Sequence, residues 1–477
     1  MKTREVDVAI IGAGTAGSNA RRAAQEAGAD VVMIEGGPYG TTCARVGCMP
    51  SKLLIAAADV ANAMRHAEMF GIRGGTPQID GRAVMDRVRR ERDRFVGFVV
   101  ESVDDLPDEM KIRGYARFID PNTLQVDDHT QVKAKAMVIA TGSSPWIPPA
   151  LADLGDRVIV NDDVFAWQEL PRSVAVIGMG VIGLELGQAL HRLGVETTCL
   201  TPSKRIGSLS DPVIQGKAIE IFGSELNLST SITDLEAARD GDGVLVKWKD
   251  SGGESHQTRV EYVLASAGRR PNLDELDLAQ VGIELGPNGY PTSDHRTGQI
   301  GDRNIFIAGD VSGFRPLLHE AADEGRSAGE NAALFPDVRS HPRRTALAVV
   351  FSDPNIASVG QSFPELNQEE VSIGEVSYDD QGRSRVMGKN RGHVRIYAQN
   401  ECGTLIGAEM LGPRVEHTAH LLSWAMQQSL TVEQTLAMPF YHPVVEEGIR
   451  TGLRDLAAKL KLGARPPAHD LDCGPGA

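Results

Sequence analysis

Two stretches of this 477-residue chain share one grammar, and that repetition constrains the fold more than any other feature. The first reads Val6-Asp-Val-Ala-Ile-Ile-Gly12-Ala-Gly14-Thr-Ala-Gly17, then a helical run, then Ala29-Asp-Val-Val-Met-Ile-Glu35. The second reads Ser173-Val-Ala-Val-Ile-Gly178-Met-Gly180-Val-Ile-Gly183, a helix through Leu193, then Val195-Glu-Thr-Thr-Cys-Leu-Thr201. Each predicts strand, glycine turn, helix, strand, the context in which G-x-G-x-x-G signals a dinucleotide site. The first glycine permits the tight turn, the second lets backbone approach a pyrophosphate, and the third lets helix pack on strand. The phosphates then sit at the positive end of the helix. An acid ending the second strand holds a ribose hydroxyl. In the first unit that acid is Glu35, 35 − 12 = 23 positions after the first glycine. The same step in the second unit, 178 + 23 = 201, lands on a threonine.

Directly after the first unit comes Gly40-Thr-Thr-Cys-Ala-Arg-Val-Gly-Cys-Met-Pro-Ser-Lys52, with Cys43 and Cys48 five positions apart. An intracellular enzyme seldom places two thiols this close without using them. An undistorted helix cannot bridge them: five residues advance the chain ~7.5 Å and leave the Cα atoms roughly 8.6 Å apart. A disulfide needs less than about 7 Å, so the turn must tighten, and Gly47 supplies the backbone freedom. Zinc would take a C-x2-C pair and a second pair, which this sequence does not offer. The pair reads as a redox-active disulfide, and no metal is expected.

A further strand, Asn304-Ile-Phe-Ile-Ala-Gly-Asp310, delivers a carboxylate at its C-terminal end, where α/β sheets bind ligands. From about Ala346 the pattern changes to a β-hairpin, 393–398 and 404–410, and then amphipathic helices around 416–429 and 446–462. The tail, 464–477, is rich in Pro and Gly and expected to be mobile. A balance of 49 basic to 64 acidic residues, net −15, argues against nucleic acid and anionic membranes as partners. The arginine-rich run 82–94 is interleaved with acids and reads as a solvated helix face. Five scattered cysteines are unlike a secreted framework. Met1 to Asp7 leads straight into a strand, leaving no room for a signal peptide, and no apolar run approaches the ~18 residues of a membrane span. The expected location is the cytoplasm.

Two dinucleotide units, the C-x4-C and a C-terminal His-Pro motif together resemble the flavin-dependent disulfide reductases over essentially the whole chain up to the tail. The matching residues are Gly12, Gly14 and Gly17 with Glu35; Cys43 and Cys48 with Lys52; Ala140-Thr-Gly142; Gly178, Gly180 and Gly183; Gly268-Arg-Arg-Pro-Asn272; Ala308-Gly-Asp310; and His442-Pro-x3-Glu447. The resemblance implies an α/β fold: two Rossmann-like dinucleotide-binding domains, for FAD and NAD, followed by an α+β dimerisation domain. Its implied boundaries are 1–150 and 272–345 for FAD, 151–271 for NAD(P), and 346–463 for the interface. It also implies a homodimer. Glu35 would hold the FAD ribose and Asp310 the ribityl chain, with contacts from Ala116, Thr141, Gly142, Leu317 and His319. Lys52 would approach the flavin ring, paired with Glu185. Gly178, Gly180, Gly183, Glu185, Thr201 and Gly268 would line the NAD site. His442, held by Glu447, would come from the partner subunit, face the disulfide and take the proton of a substrate dithiol. Cys43 would receive the attack, and Cys48 would leave as thiolate beside the flavin.

Within the family, the run Gly178 to Gly187 looks like the dihydrolipoamide dehydrogenase branch, whose substrate is a lipoyl-carrying protein. A C-terminal cysteine pair, expected of mercuric reductases, is not in the tail, which holds only Cys473. Val181 stands where glutathione reductases tend to have a tyrosine. Gly183 leans to NAD, whereas Thr201 with Lys204 and Arg205 leans to NADP. Other readings are a disulfide or quinone reductase using NADPH on small substrates, and a scaffold that binds lipoylated partners without turnover. Arg45 departs from the usual motif; it is expected either to favour a thiolate by charge, to bind an acidic carrier, or to be an exposed arginine.

Overall fold

A computed structural model describes residues 1–461; the proline- and glycine-rich tail and Cys473 lie outside the described residues. Both glycine units fold as expected. In the first, the strand Lys2–Ile11 turns at Gly12 into the helix Thr15–Glu26 and returns as Val31–Glu35, parallel to the first strand. Thr130–Ile139 lies on the other side of Lys2–Ile11, and the short strand Ile305–Ile307 extends the sheet beyond it, all in parallel. Residues far apart in sequence thus form one sheet, and the Gly309-Asp310 turn emerges at its ligand-binding end.

The second unit repeats the plan with Ser173–Ile177, the helix Val181–Arg192 and Glu196–Thr201. Its five-stranded sheet is parallel and runs 227–230, 196–201, 173–177, 262–265, 158–159. Val174, Ala175, Val176 and Ile177 are all buried, because helices and a three-stranded antiparallel sheet, 233–260, cover both faces. Each of the Val and Ile side chains contributes about 1.5–3 kcal/mol of burial. A two-stranded ribbon, Ser143–Pro145 with Arg269–Pro271, joins the two glycine units.

The C-terminal part is a five-stranded antiparallel sheet in the order 347–350, 355–360, 405–412, 393–399, 371–377. The expected hairpin is there as His393–Gln399 and Leu405–Gly412. The two expected helices are Val415–Gln427 and Glu447–Lys459. Among the described residues no helix is long and apolar enough to cross a membrane.

Candidate active site

The chain between the two cysteines bends as their spacing demanded. A short helix, Thr42–Val46, ends at Gly47, whose φ of −127° and ψ of −116° break the helical path. A new helix, Cys48–Arg65, starts one residue later. Asn161 Nδ2 holds the bend by donating to Val46 O at 2.7 Å. Cys43 and Cys48 both carry free thiols. Their mutual hydrogen bond, with burial added, pushes the Cys43 thiol far above its ordinary range. The same bond, assisted by the Lys52 charge against the opposing effect of burial, lowers Cys48 to about 7. Cys48 is also the first residue of an 18-residue helix with no side-chain cap, where a negative charge is favoured.

Lys52 stands one turn further along that helix. Its Nζ donates to both carboxylate oxygens of Glu185, at 2.9 and 2.8 Å. Glu185 projects from the second glycine helix and is 4 % exposed. It accepts as well from Ser51 Oγ at 3.3 Å and from Phe351 N at 3.0 Å. The Phe351 ring lies 4.6 Å below the Lys52 ammonium. Arg45 does not supply the charge beside the thiols. Its stem packs near Gly40, and its guanidinium acts on Asp162. The charge that acts on the thiols is that of Lys52, and Arg45 is half-buried rather than fully exposed. On the dithiol form, alkylation of Cys48 should switch on as pH rises through about 7. Lys52→Met should move that midpoint up by about 0.5–1 pH unit. A midpoint unaffected by Lys52→Met would remove the lysine from this role.

Both glycine turns form open cradles. A Cβ on Gly14 or on Gly180 would meet nothing within 4 Å, and neither following helix has a side-chain cap. Backbone N–H groups of each first turn are thus free to receive phosphates. A Cβ on Gly17 or Gly183 would lie 1.9 Å from the carbonyl oxygen of Gly12 or Gly178, so helix and strand touch through these glycines. The Glu35 carboxylate is held at the end of its strand: Ala13 N and Gly37 N donate to it at 2.8 and 2.7 Å. Ala116 begins a strand next to the Gly114 amide, which donates to Glu35 O. Thr141 and Gly142 are tied to Asn272, and Gly268 takes a positive φ beside the joining ribbon. Leu317 starts the helix Leu318–Leu334, with His319 exposed in its first turn. In the second unit, Thr201 is buried, its hydroxyl turned to Ser203, while Lys204 and Arg205 are exposed. Val181 is 40 % exposed.

Sequence reasoning missed the residues that hold these groups. Asp310 accepts from Ser143 Oγ at 2.8 Å, and Ser143 accepts in turn from Arg269. Glu324 anchors the same turn by accepting from Gly309 N and Ser312 Oγ. Ser143 adjoins the Ala140-Thr-Gly142 motif and could have been suspected; nothing local marks Glu324 or Phe351.

His442 and Glu447 form the expected pair: Nδ1 and Oε1 are 2.9 Å apart, and Val444 N donates to the other carboxylate oxygen at 3.1 Å. The Glu447 side chain is 6 % exposed and that of His442 is 67 % exposed. Leu421, Trp424, Met438 and Tyr441 are exposed on the same C-terminal part.

Residues 6–325 match the family model described as pyridine nucleotide-disulphide oxidoreductase, and 347–452 match the dimerisation domain of that family. The chain belongs to this family. Its members are flavin-dependent oxidoreductases, and its cofactors are FAD and a pyridine nucleotide. The chain is 30 % identical to a dihydrolipoyl dehydrogenase of Geobacillus stearothermophilus over 98 % of its own length and 97 % of that protein. It is 30 % identical to one from Halobacterium salinarum, over 92 % and 94 %. Among solved structures, the flavoprotein disulfide reductase RclA of Escherichia coli superposes with a TM-score of 0.79 at 22 % identity, covering 96 % of this chain and 100 % of that one. LpdA of Mycobacterium tuberculosis gives 0.79 at 24 %, covering 95 % and 99 %. These two share the fold. The uncapped helix starts, open glycine cradles and fixed Glu35 carboxylate fit the two dinucleotides of the family.

Proposed function

We propose that the chain is a dihydrolipoyl dehydrogenase that oxidises protein-bound dihydrolipoamide to lipoamide and reduces NAD⁺. The observation that carries the reading is the thiol pair flanking Gly47, with Cys48 lowered to about 7 beside Lys52 and Glu185. The full-length likeness to dihydrolipoyl dehydrogenases supports the substrate class. In the homodimer, His442 of one subunit serves the cysteine pair of the other, and the exposed apolar residues around Trp424 lie at the contact.

The substrate dithiol loses a proton to His442 and attacks Cys43 of the oxidised pair, releasing Cys48 as thiolate. The second substrate thiol displaces Cys43, which leaves lipoamide and the enzyme dithiol. Bound FAD supplies the two-electron relay from that dithiol to the nicotinamide. In sum, dithiol and NAD⁺ become disulfide, NADH and a proton. Lys52 presents a positive charge to Cys48, and Glu185 fixes the lysine in place while itself opposing the thiolate. Glu447 orients His442 and stabilises its imidazolium.

One observation favours a second reading, a disulfide or quinone reductase using NADPH. Thr201 stands where an acid would repel a 2′-phosphate, and Lys204 and Arg205 are exposed beside it. Steady-state turnover with NADH and NADPH against lipoamide, oxidised glutathione and a quinone separates the two. The first reading expects lipoamide with NADH to dominate by at least about tenfold in kcat/KM. Lipoamide turnover no better than that of glutathione overturns it.

A further inference from the structure

Three polar residues on the second glycine helix, Glu185, Gln188 and Arg192, are spaced three and four apart and so share one face. All three are buried, with exposures of 4 %, 4 % and 1 %. Each grips the short segment 351–353, which joins the first two strands of the C-terminal sheet. Glu185 accepts from Phe351 N at 3.0 Å. Gln188 exchanges two bonds with the Asp353 backbone, at 2.8 and 2.9 Å. Arg192 donates to the Asp353 carboxylate at 3.2 Å and to its carbonyl at 3.3 Å. The remaining donors of Arg192 go to Glu225, at 2.6 and 3.1 Å, and to Asp59 of the cysteine helix at 3.2 Å. Lys389 and Arg391 reach Asp353 from the loop before the strand His393–Gln399, and Arg65 donates to the Arg192 carbonyl.

The consequence lies two residues away. With residue 353 fixed, the Phe351 amide meets Glu185 and its ring lies under Lys52. Only a planar fork with five donors can serve Glu225, Asp59 and Asp353 together. We propose that Arg192 is a positioning residue for the Lys52–Glu185 pair, acting through Asp353 and Phe351. The proposal rests on the reading of Lys52 as the charge beside the thiols, and goes beyond it by naming what holds that charge in place. Without the fork, segment 351–353 loosens, Phe351 leaves Lys52, and the ammonium drifts toward solvent.

The test measures Cys48 alkylation by iodoacetamide against pH on the dithiol form of the holoenzyme, with peptide mass spectrometry separating Cys48 from the other thiols. Arg192→Lys keeps the charge and loses the fork. Asp353→Asn keeps the side-chain shape, and keeps the test available should the first variant not fold. Both should raise the Cys48 midpoint by about 0.5–1 pH unit. Asp211→Asn is the control for mere loosening. Asp211 is fully buried at another joint, bonded to Arg395 and Tyr397, and its loss should lower Tm without moving the midpoint. If Lys52→Met shifts the midpoint while Arg192→Lys and Asp353→Asn do not, the proposal alone falls. If Lys52→Met does not shift it either, the reading of Lys52 falls and takes this proposal with it.

Discussion

His442→Ala should slow dithiol oxidation by about 10²–10⁴-fold while leaving flavin reduction by the nicotinamide nearly intact. The expectation follows from where the imidazole stands. Its Nδ1 is held by Glu447 at 2.9 Å, and the Glu447 carboxylate is itself fixed by Val444 N. That leaves Nε2 as the outward-facing nitrogen of a side chain that is 67 % exposed in the single chain. A substrate dithiol has a pKa of about 8.5, so most of it is protonated at neutral pH and needs a base. The nicotinamide half-reaction needs none. Stopped-flow measurement of the two half-reactions separates them, and an equal fall in both would remove His442 from proton transfer. Glu447→Gln should give the same pattern at smaller amplitude, because the imidazole keeps a hydrogen-bond partner but loses the charge behind it.

Alanine at Gly17 and alanine at Gly183 should produce different losses from the same steric fault. In each case the new Cβ would lie 1.9 Å from the carbonyl oxygen of the first glycine, so helix and strand must separate. Such overpacking costs about 1–3 kcal/mol and moves the uncapped helix start that receives the phosphates. Gly17→Ala should yield protein with FAD content reduced by about tenfold or more, one factor of ten per 1.4 kcal/mol. Gly183→Ala should retain FAD and raise KM for the pyridine nucleotide by a similar factor, with lipoamide reactivity at the flavin preserved. Absorbance of bound flavin and nucleotide titration read the two effects. Loss of flavin from Gly183→Ala, with full flavin in Gly17→Ala, would reverse the assignment of the two units.

What was legible in the sequence was chemistry set by neighbours in the chain. The glycine spacing gave both dinucleotide turns, and the 23-residue step led to Glu35, which the structure fixes with two backbone amides. The cysteine spacing required a broken helix, and Gly47 breaks it. His442 and Glu447 are five residues apart and meet directly. Of the readings open for Arg45, the geometry bears on the thiolate charge alone, and disfavours it. Nearness in sequence suggested its charge would act on the thiols, yet the bend at Gly47 sends it toward Asp162 and brings Lys52 in instead.

The sequence by itself determined two nucleotide cradles, a thiol pair and a histidine with its carboxylate, because turn geometry and i-to-i+5 spacing are short-range constraints. Only the tertiary structure decided which charge stands beside Cys48 and what holds it there. The pairing of Lys52 with Glu185, 133 residues away, was expected from the family resemblance alone, and nothing in the sequence pointed to the contact of Arg192 with Asp353, 161 residues away. Contacts over such separations leave no local pattern; they exist because packing brings three parts of the chain against one face of a helix.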